Sequence, residues 1–144
     1  MKINLFNEDN VRWFIHLGLS KDTEDTSYLD LKTCYYLTHR LLRILKRDYK
    51  YDACVILCPF SINYHEKDSG NIGRAGGVTN RDLIYMPTTL NSYKDFVEFL
   101  IHEYMHVIQW NEKVKFNHDK IWADRNHEIE ANKFADKFME SFKF

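Results

Sequence analysis

The sequence predicts an α+β fold, because it contains helical stretches and short strand-like runs within the length of one domain. Three stretches predict helices, at roughly residues 28–48, 93–110 and 125–143. The apolar run 53–58 predicts a buried strand and the stretch 78–86 predicts a strand hairpin or a bent strand, and each is followed by a proline. The 144 residues are the length of one ordinary domain, so we expect a single domain over 1–144.

Composition excludes several classes of protein. The chain is 44% hydrophobic and 15% aromatic, which is unlike a disordered chain. Its 20 basic and 21 acidic residues give a net charge of -1, so we expect no nucleic-acid partner. No apolar run approaches the roughly 20 residues of a membrane span. The odd number of cysteines, three, fits free thiols in a reducing compartment. We therefore expect a cytoplasmic protein, in a cell or in a host cell.

The boundaries of the elements follow from caps and breakers. We expect Ser27 to cap the first of the three helices and the polar stretch 20–27 to be a loop. The glycine-rich stretch SGNIGRAGG is expected to be a flexible turn or loop. Residues 1–19 fit neither a helical nor a strand period. The basic outer face of the first of the three helices is interpreted as solvated, with a patch for an acidic partner as the alternative.

The chemically informative stretch is FVEFLIHEYMHVIQW, which contains the pattern H-E-x-x-H. Residues four apart lie on one face of a helix, so His102 and His106 can reach a single metal ion. Glu103 is rotated by about 100° from His102, which places it beside the ion as a general base. Apolar residues surround the motif on most sides, which predicts a buried helix. Buried polar groups of this kind are costly unless they are hydrogen-bonded or bound to metal.

A catalytic zinc ion needs a third protein ligand and one open position. The metzincin pattern fails, because Gln109 and Glu112 stand where its glycine and histidine would be. On a helical wheel of residues 128–142, Glu128 lies about 50° from the centre of the apolar face. Glu130 lies about 110° away, which points it outward or to a supporting role. Glu128 and His118 both remain candidates for the third ligand.

HEYMHVIQ followed by EIEANKFA resembles the HExxH…E zinc metallopeptidases, the gluzincins. The closest in scale are compact members, the minigluzincins and the ImmA/IrrE-type peptidase domains. The resemblance covers roughly residues 28–143 and implies that Glu128 is the third ligand of Zn²⁺. It also implies a zincin-like fold, with an N-terminal backing helix, a small twisted and mostly antiparallel sheet, the HExxH helix and a C-terminal glutamate helix. The implied activity is that of a zinc metalloendopeptidase with Glu103 as general base, acting on a peptide or protein substrate.

The resemblance also implies a substrate-binding strand before the HExxH helix, which pairs with an extended peptide. The corresponding positions here include Gly77, Val78, Ile84 and Tyr85. Gluzincins further use a histidine or tyrosine to stabilise the oxyanion. The candidates for that role, which the sequence leaves open, are His118, His127, Tyr104 and Arg125.

Two alternatives remain. The pattern His118-Asp119-Lys120-Ile121-Trp122 is similar to that of SprT-type proteases, which act at DNA and use a later histidine as the third ligand. The other alternative is a zinc-stabilised binding or regulatory module without turnover. Cleavage of a generic unfolded protein with and without chelator separates the enzyme from the module. Glu103→Gln, which should retain zinc and lose hydrolysis, tests the role of Glu103.

Overall fold

A computed structural model describes residues 2–22, 28–65, 72–114 and 125–144. The helices are α1 (Glu8–His16), α2 (Leu31–Tyr49), α3 (Tyr93–Asn111) and α4 (Asn126–Ser141). The strands are β1 (Lys2–Leu5), β2 (Leu19–Asp22), β3 (Cys54–Cys58), β4 (Ser61–His65), β5 (Ile72–Ala75), β6 (Val78–Asn80) and β7 (Leu83–Pro87). The α+β prediction is confirmed. None of the helices in the described ranges combines the length and apolar character that a membrane span requires.

The strands form two sheets. The four-stranded sheet has the order β1-β3-β7-β6, in which β1, β3 and β7 are parallel and β6 is antiparallel to β7. The three-stranded sheet, β2-β4-β5, is antiparallel. The expectation of a mostly antiparallel sheet is therefore wrong for the four-stranded sheet. The chain leaves β1 and β3 through other helices and strands before it returns, and such crossovers allow parallel pairing.

The four-stranded sheet separates two apolar clusters. Because side chains alternate along a strand, Val55 and Leu57 face one cluster while Ile56 and Cys58 face the other. The larger cluster packs α2, α3 and α4 against the sheet. The smaller cluster includes Phe14 of α1, which contacts the Tyr85 ring edge-on at 5.4 Å. The site helix α3 therefore lies between the sheet and the neighbouring helices.

Several predicted boundaries shift. The N-cap of α2 is Asp30, whose carboxylate accepts a hydrogen bond from the Thr33 amide at 2.9 Å, rather than Ser27, which is outside the described residues. The predicted loop at 20–27 begins within β2, and part of the glycine-rich stretch forms β5. Cross-strand pairing with β4 gives both segments an extended structure that their local composition does not predict. The unassigned residues 2–19 contain β1, α1 and the start of β2.

Candidate metal centre

The helix α3 carries the H-E-x-x-H residues inside the protein. It begins after Ser92, whose hydroxyl accepts a hydrogen bond from the Asp95 amide at 3.1 Å. Eleven of its residues are buried, because it packs against α4 on one side and against β6 and β7 on another. His102 and His106 are oriented toward α4, and Glu103 contacts β6. The site therefore consists of the motif residues of α3 together with the residues of α4 and β6 that contact them.

Glu128 of α4 meets both histidines through one carboxylate oxygen. Its Oε1 atom lies 2.9 Å from Nε2 of His102 and 2.8 Å from Nε2 of His106, and the two nitrogens are 3.2 Å apart. Relative exposures are 7% for His102, 9% for His106 and 6% for Glu128. Tetrahedral bonds of about 2.0–2.1 Å separate the ligand atoms of zinc by about 3.3 Å, so small side-chain movements would admit an ion. These two imidazoles and one carboxylate could hold a metal ion.

The electrostatics of His102, His106 and Glu128 favour a positive charge beside the Glu128 carboxylate. Burial by itself lowers the pKa of His106, but the hydrogen bond to Glu128 and the charges of Glu103 and Glu128 raise it to about 9. For Glu128 burial acts in the other direction and raises the pKa, but the hydrogen bonds from His102 and His106 outweigh it and lower the pKa to about 2. Without metal, an imidazolium and a carboxylate therefore face each other. A bound cation would replace that proton.

Glu103 is held beside the histidines by β6. The Thr79 hydroxyl lies 2.8 Å from Glu103 Oε1 and 3.1 Å from the Glu103 carbonyl oxygen, and can donate to either. The other carboxylate oxygen, Oε2, is 3.8 Å from Nε2 of His102. A Cβ atom at Gly77 would lie 2.8 Å from Cγ of Glu103 and 2.9 Å from Sδ of Met86. Only a glycine allows the chain to pass this close to Glu103 without displacing it.

The predicted substrate-contact residues separate into two groups. Val78 begins β6 at the edge of the four-stranded sheet, and Gly77 immediately precedes it, beside Glu103. Ile84 and Tyr85 lie in β7, which pairs with β3 on one side and β6 on the other, and both side chains are fully buried. Their assignment as substrate contacts is therefore wrong: alternation along an interior strand directs them into the two cores.

The four candidates for stabilising an oxyanion have different positions. Tyr104 is buried on another face of α3, and its hydroxyl donates to the Tyr51 carbonyl at 2.7 Å, so it is unsuited to the role. His127 is buried next to the site, with Nε2 3.8 Å from Oε2 of Glu128. Arg125 is the N-cap residue of α4 and half-buried. His118, the rival third ligand, is outside the described residues.

Two further residues of the site are not predicted by the motif. Thr79 contacts Glu103 from β6, and no local pattern points to it because the contact joins residues 24 positions apart. Gln109 is fully buried, and its Oε1 lies 2.7 Å from Nδ1 of His106. A signal for Gln109 did exist, because a residue three positions after a histidine lies on the same helix face.

The fold and site define an α+β protein with a candidate His-His-Glu metal centre. A family model described as "Protein of unknown function (DUF3920)" matches residues 61–144, which is more than half of the chain. The chain belongs to this family, and the matched region contains α3 and α4 with all three candidate ligands. No curated protein and no solved structure matches the chain.

Proposed function

We propose that this protein is a zinc-dependent metallopeptidase of the HExxH…E type. The observation that carries the proposal is the convergence of His102, His106 and Glu128 within 3.2 Å of one another, with Glu103 alongside. Two imidazoles and a carboxylate are a ligand set of catalytic zinc, which keeps a fourth position for water or substrate. The position of Glu128 supports the resemblance to the gluzincins.

Each residue has a separate task in this proposal. Zinc held by His102, His106 and Glu128 would polarise a scissile carbonyl and lower the pKa of a water molecule to about 7. Glu103 accepts the proton of the attacking water at Oε2 and passes it to the leaving amine. Thr79 holds the opposite oxygen, Oε1, so that the carboxylate keeps one orientation during both transfers.

The edge strand β6 supports a peptide as the substrate. Among the described strands it pairs only with β7, and Thr79 at its centre contacts Glu103. An extended peptide could add to this edge by main-chain hydrogen bonds, beside Gly77 and Val78. This arrangement would bring a peptide carbonyl close to the general base.

Proteolysis with and without chelator tests the proposal. The zinc-loaded protein is incubated with a fluorescently labelled unfolded protein, and the assay is repeated for Glu103→Gln and for the control Glu112→Gln. Glu112 is an exposed residue at the end of α3. We expect chelator-sensitive cleavage by the wild type and the control, and none by Glu103→Gln. Cleavage that survives Glu103→Gln would remove Glu103 from the mechanism.

The burial of the site favours a second candidate, a zinc-stabilised binding module without turnover. A catalytic zinc ion needs an open position that substrate can reach, and each of the four site residues is less than a tenth exposed, which limits that access. This candidate predicts tight zinc binding and a large rise in thermal stability, with no cleavage at micromolar protein. A chain that binds no zinc would exclude both functions.

A further inference from the structure

Gln109 connects the two helices that carry the candidate ligands. It is fully buried on α3, one turn beyond His106. Its Oε1 is 2.7 Å from Nδ1 of His106, and its Nε2 donates to the His127 carbonyl and to Oε1 of Glu130, both at 2.9 Å. The amide thus uses one acceptor and two donors, and its acceptors on α4 lie on either side of Glu128.

These contacts determine which way the amide faces. The His127 carbonyl and the Glu130 carboxylate are acceptors, so the NH₂ end of Gln109 must face them. The reversed orientation would place two oxygens against Gln109 Oε1 at hydrogen-bond distance. The oxygen end therefore faces His106, and Nδ1 of that ring carries a hydrogen. The ring then presents Nε2, the atom beside Glu128, as the one available to bind a metal ion.

We propose that Gln109 is a positioning residue that fixes the Nδ1–H tautomer of His106 and holds the first turn of α4 against α3. The inference rests on the metal site of the proposed function. Outer groups that hydrogen-bond ligand histidines commonly set ring orientation and metal affinity. Gln109 would do so for His106 and, with the same amide, would set the position of Glu128.

The hydrogen bonds from Gln109 to α4 matter because α4 carries one of the three candidate ligands. Its first turn contains Glu128, while its N-cap residue Arg125 makes no side-chain capping hydrogen bond in the described structure. From the neighbouring helix, Gln109 donates one hydrogen bond to His127 in this turn and one to Glu130 just after it. Glu130, which the helical wheel directs away from the apolar face, also acquires a role as the carboxylate that receives one of them.

Variants at Gln109 test the inference by zinc affinity, measured in competition with a chromophoric chelator. Gln109→Leu keeps the approximate volume but neither accepts nor donates, and we expect about a 10–100-fold loss of affinity. The matched control is Asn111→Leu, which removes an amide of α3 that donates to the Val107 carbonyl on its own helix. We expect less than about a two-fold change for the control. Equal affinity of Gln109→Leu and the wild type would overturn the inference.

A second variant covers the case in which Gln109→Leu does not fold. In the double variant Gln109→Glu, Glu130→Gln, the carboxylate introduced at position 109 still accepts the Nδ1–H of His106, and the amide introduced at position 130 can donate back to that carboxylate. Zinc affinity should therefore return to within about three-fold of the wild type. Thermal stability should return only in part, because the His127 carbonyl loses its donor and faces a carboxylate oxygen instead. A double variant that binds zinc about 10–100-fold more weakly than the wild type would contradict the proposed tautomer control.

Histidine ring NMR keeps the inference separate from the proposed function. A buried Nδ1–H of His106 that is hydrogen-bonded to Gln109 should exchange slowly with solvent in the metal-free protein. The same hydrogen should exchange at least about tenfold faster in Gln109→Leu. If the wild type binds no zinc, the metallopeptidase proposal fails, and this exchange comparison still decides the role of Gln109. Equal exchange in both proteins would overturn it.

Discussion

Metal binding at pH 7 is expected to release a proton from His106. The pKa of this imidazole is about 9 because Glu128 and Glu103 stabilise its charged form against the effect of burial. About 99% of the rings therefore carry the extra proton at pH 7, two units below the pKa. Metal ligation requires the neutral ring, so the proton must leave. Glu128, with a pKa of about 2, is already ionised and releases none.

The size and sign of the effect follow from this pKa. Each unit between the assay pH and the pKa weakens apparent affinity about tenfold, which is about 1.4 kcal/mol per unit. Zinc affinity should therefore rise about tenfold between pH 7 and pH 8, and it should level off near pH 9. At pH 7 the cost relative to a fully neutral ring is about 3 kcal/mol, or a factor on the order of 100 in affinity.

Calorimetric zinc titrations in buffers of different ionisation enthalpy measure the number of protons released. We expect about one proton from His106 at pH 7. Glu103→Gln is the control, since it removes a charge that raises the His106 pKa but keeps all three candidate ligands, and it should release a smaller fraction of a proton. Direct NMR titration of the ring in the metal-free protein should show the same difference in pKa. No release by the wild type at pH 7, together with equal affinities at pH 7 and pH 8, would refute the reasoning.

Three further predictions concern individual residues of the site. Glu128→Ala should weaken zinc binding by more than about 100-fold, whereas His118→Ala and the exposed α4 control Glu140→Ala should not. Loss of zinc binding in His118→Ala alone would instead favour the SprT-type alternative. Thr79→Val should leave zinc affinity unchanged and reduce kcat about 10–100-fold, because one hydrogen bond to a charged group contributes about 1.5–3 kcal/mol. An unchanged kcat would show that Glu103 does not need the hydrogen bond from Thr79. Gly77→Ala should lower the free energy of unfolding, measured with urea, by about 1–3 kcal/mol, because the new methyl group would meet Glu103 and Met86. A urea midpoint equal to that of the wild type would mean that the neighbouring side chains relax without cost.

The part of the site that depends on helix periodicity could be predicted from the sequence. Residues four apart share a helix face, so the spacing of His102 and His106 predicts two converging rings, and they converge. The helical wheel predicts that Glu128 turns toward the core and Glu130 away from it. This is confirmed, because Glu128 is 6% exposed and buried whereas Glu130 is exposed. These predictions require only the direction of a side chain relative to its own helix.

The sheet could be predicted only in part, because pairing partners are distant in sequence. The run 53–58 predicts a strand close to β3, but nothing within it shows that both of its neighbours are parallel. The glycine-rich stretch has the composition of a loop, yet residues 72–75 pair with β4. Cross-strand hydrogen bonds thus override a weak local preference. Ile84 and Tyr85 were misassigned for the same reason, since an edge strand and an interior strand have similar sequences.

The contacts around Glu103 show that the H-E-x-x-H motif alone does not determine the orientation of the side chains in this candidate metal site. The motif places this carboxylate about 100° from His102 around the helix, which fixes its neighbourhood but not its orientation. Its orientation comes from Thr79 of β6, which binds one oxygen, and from Gly77 just before β6, which lacks the Cβ that would displace the side chain. Gln109 acts similarly on His106 from the opposite side, toward α4. Because each of these groups adjusts an atom that the motif supplies, a chain with the same H-E-x-x-H pattern but without Thr79, Gly77 and Gln109 would keep the ligands and lose their alignment.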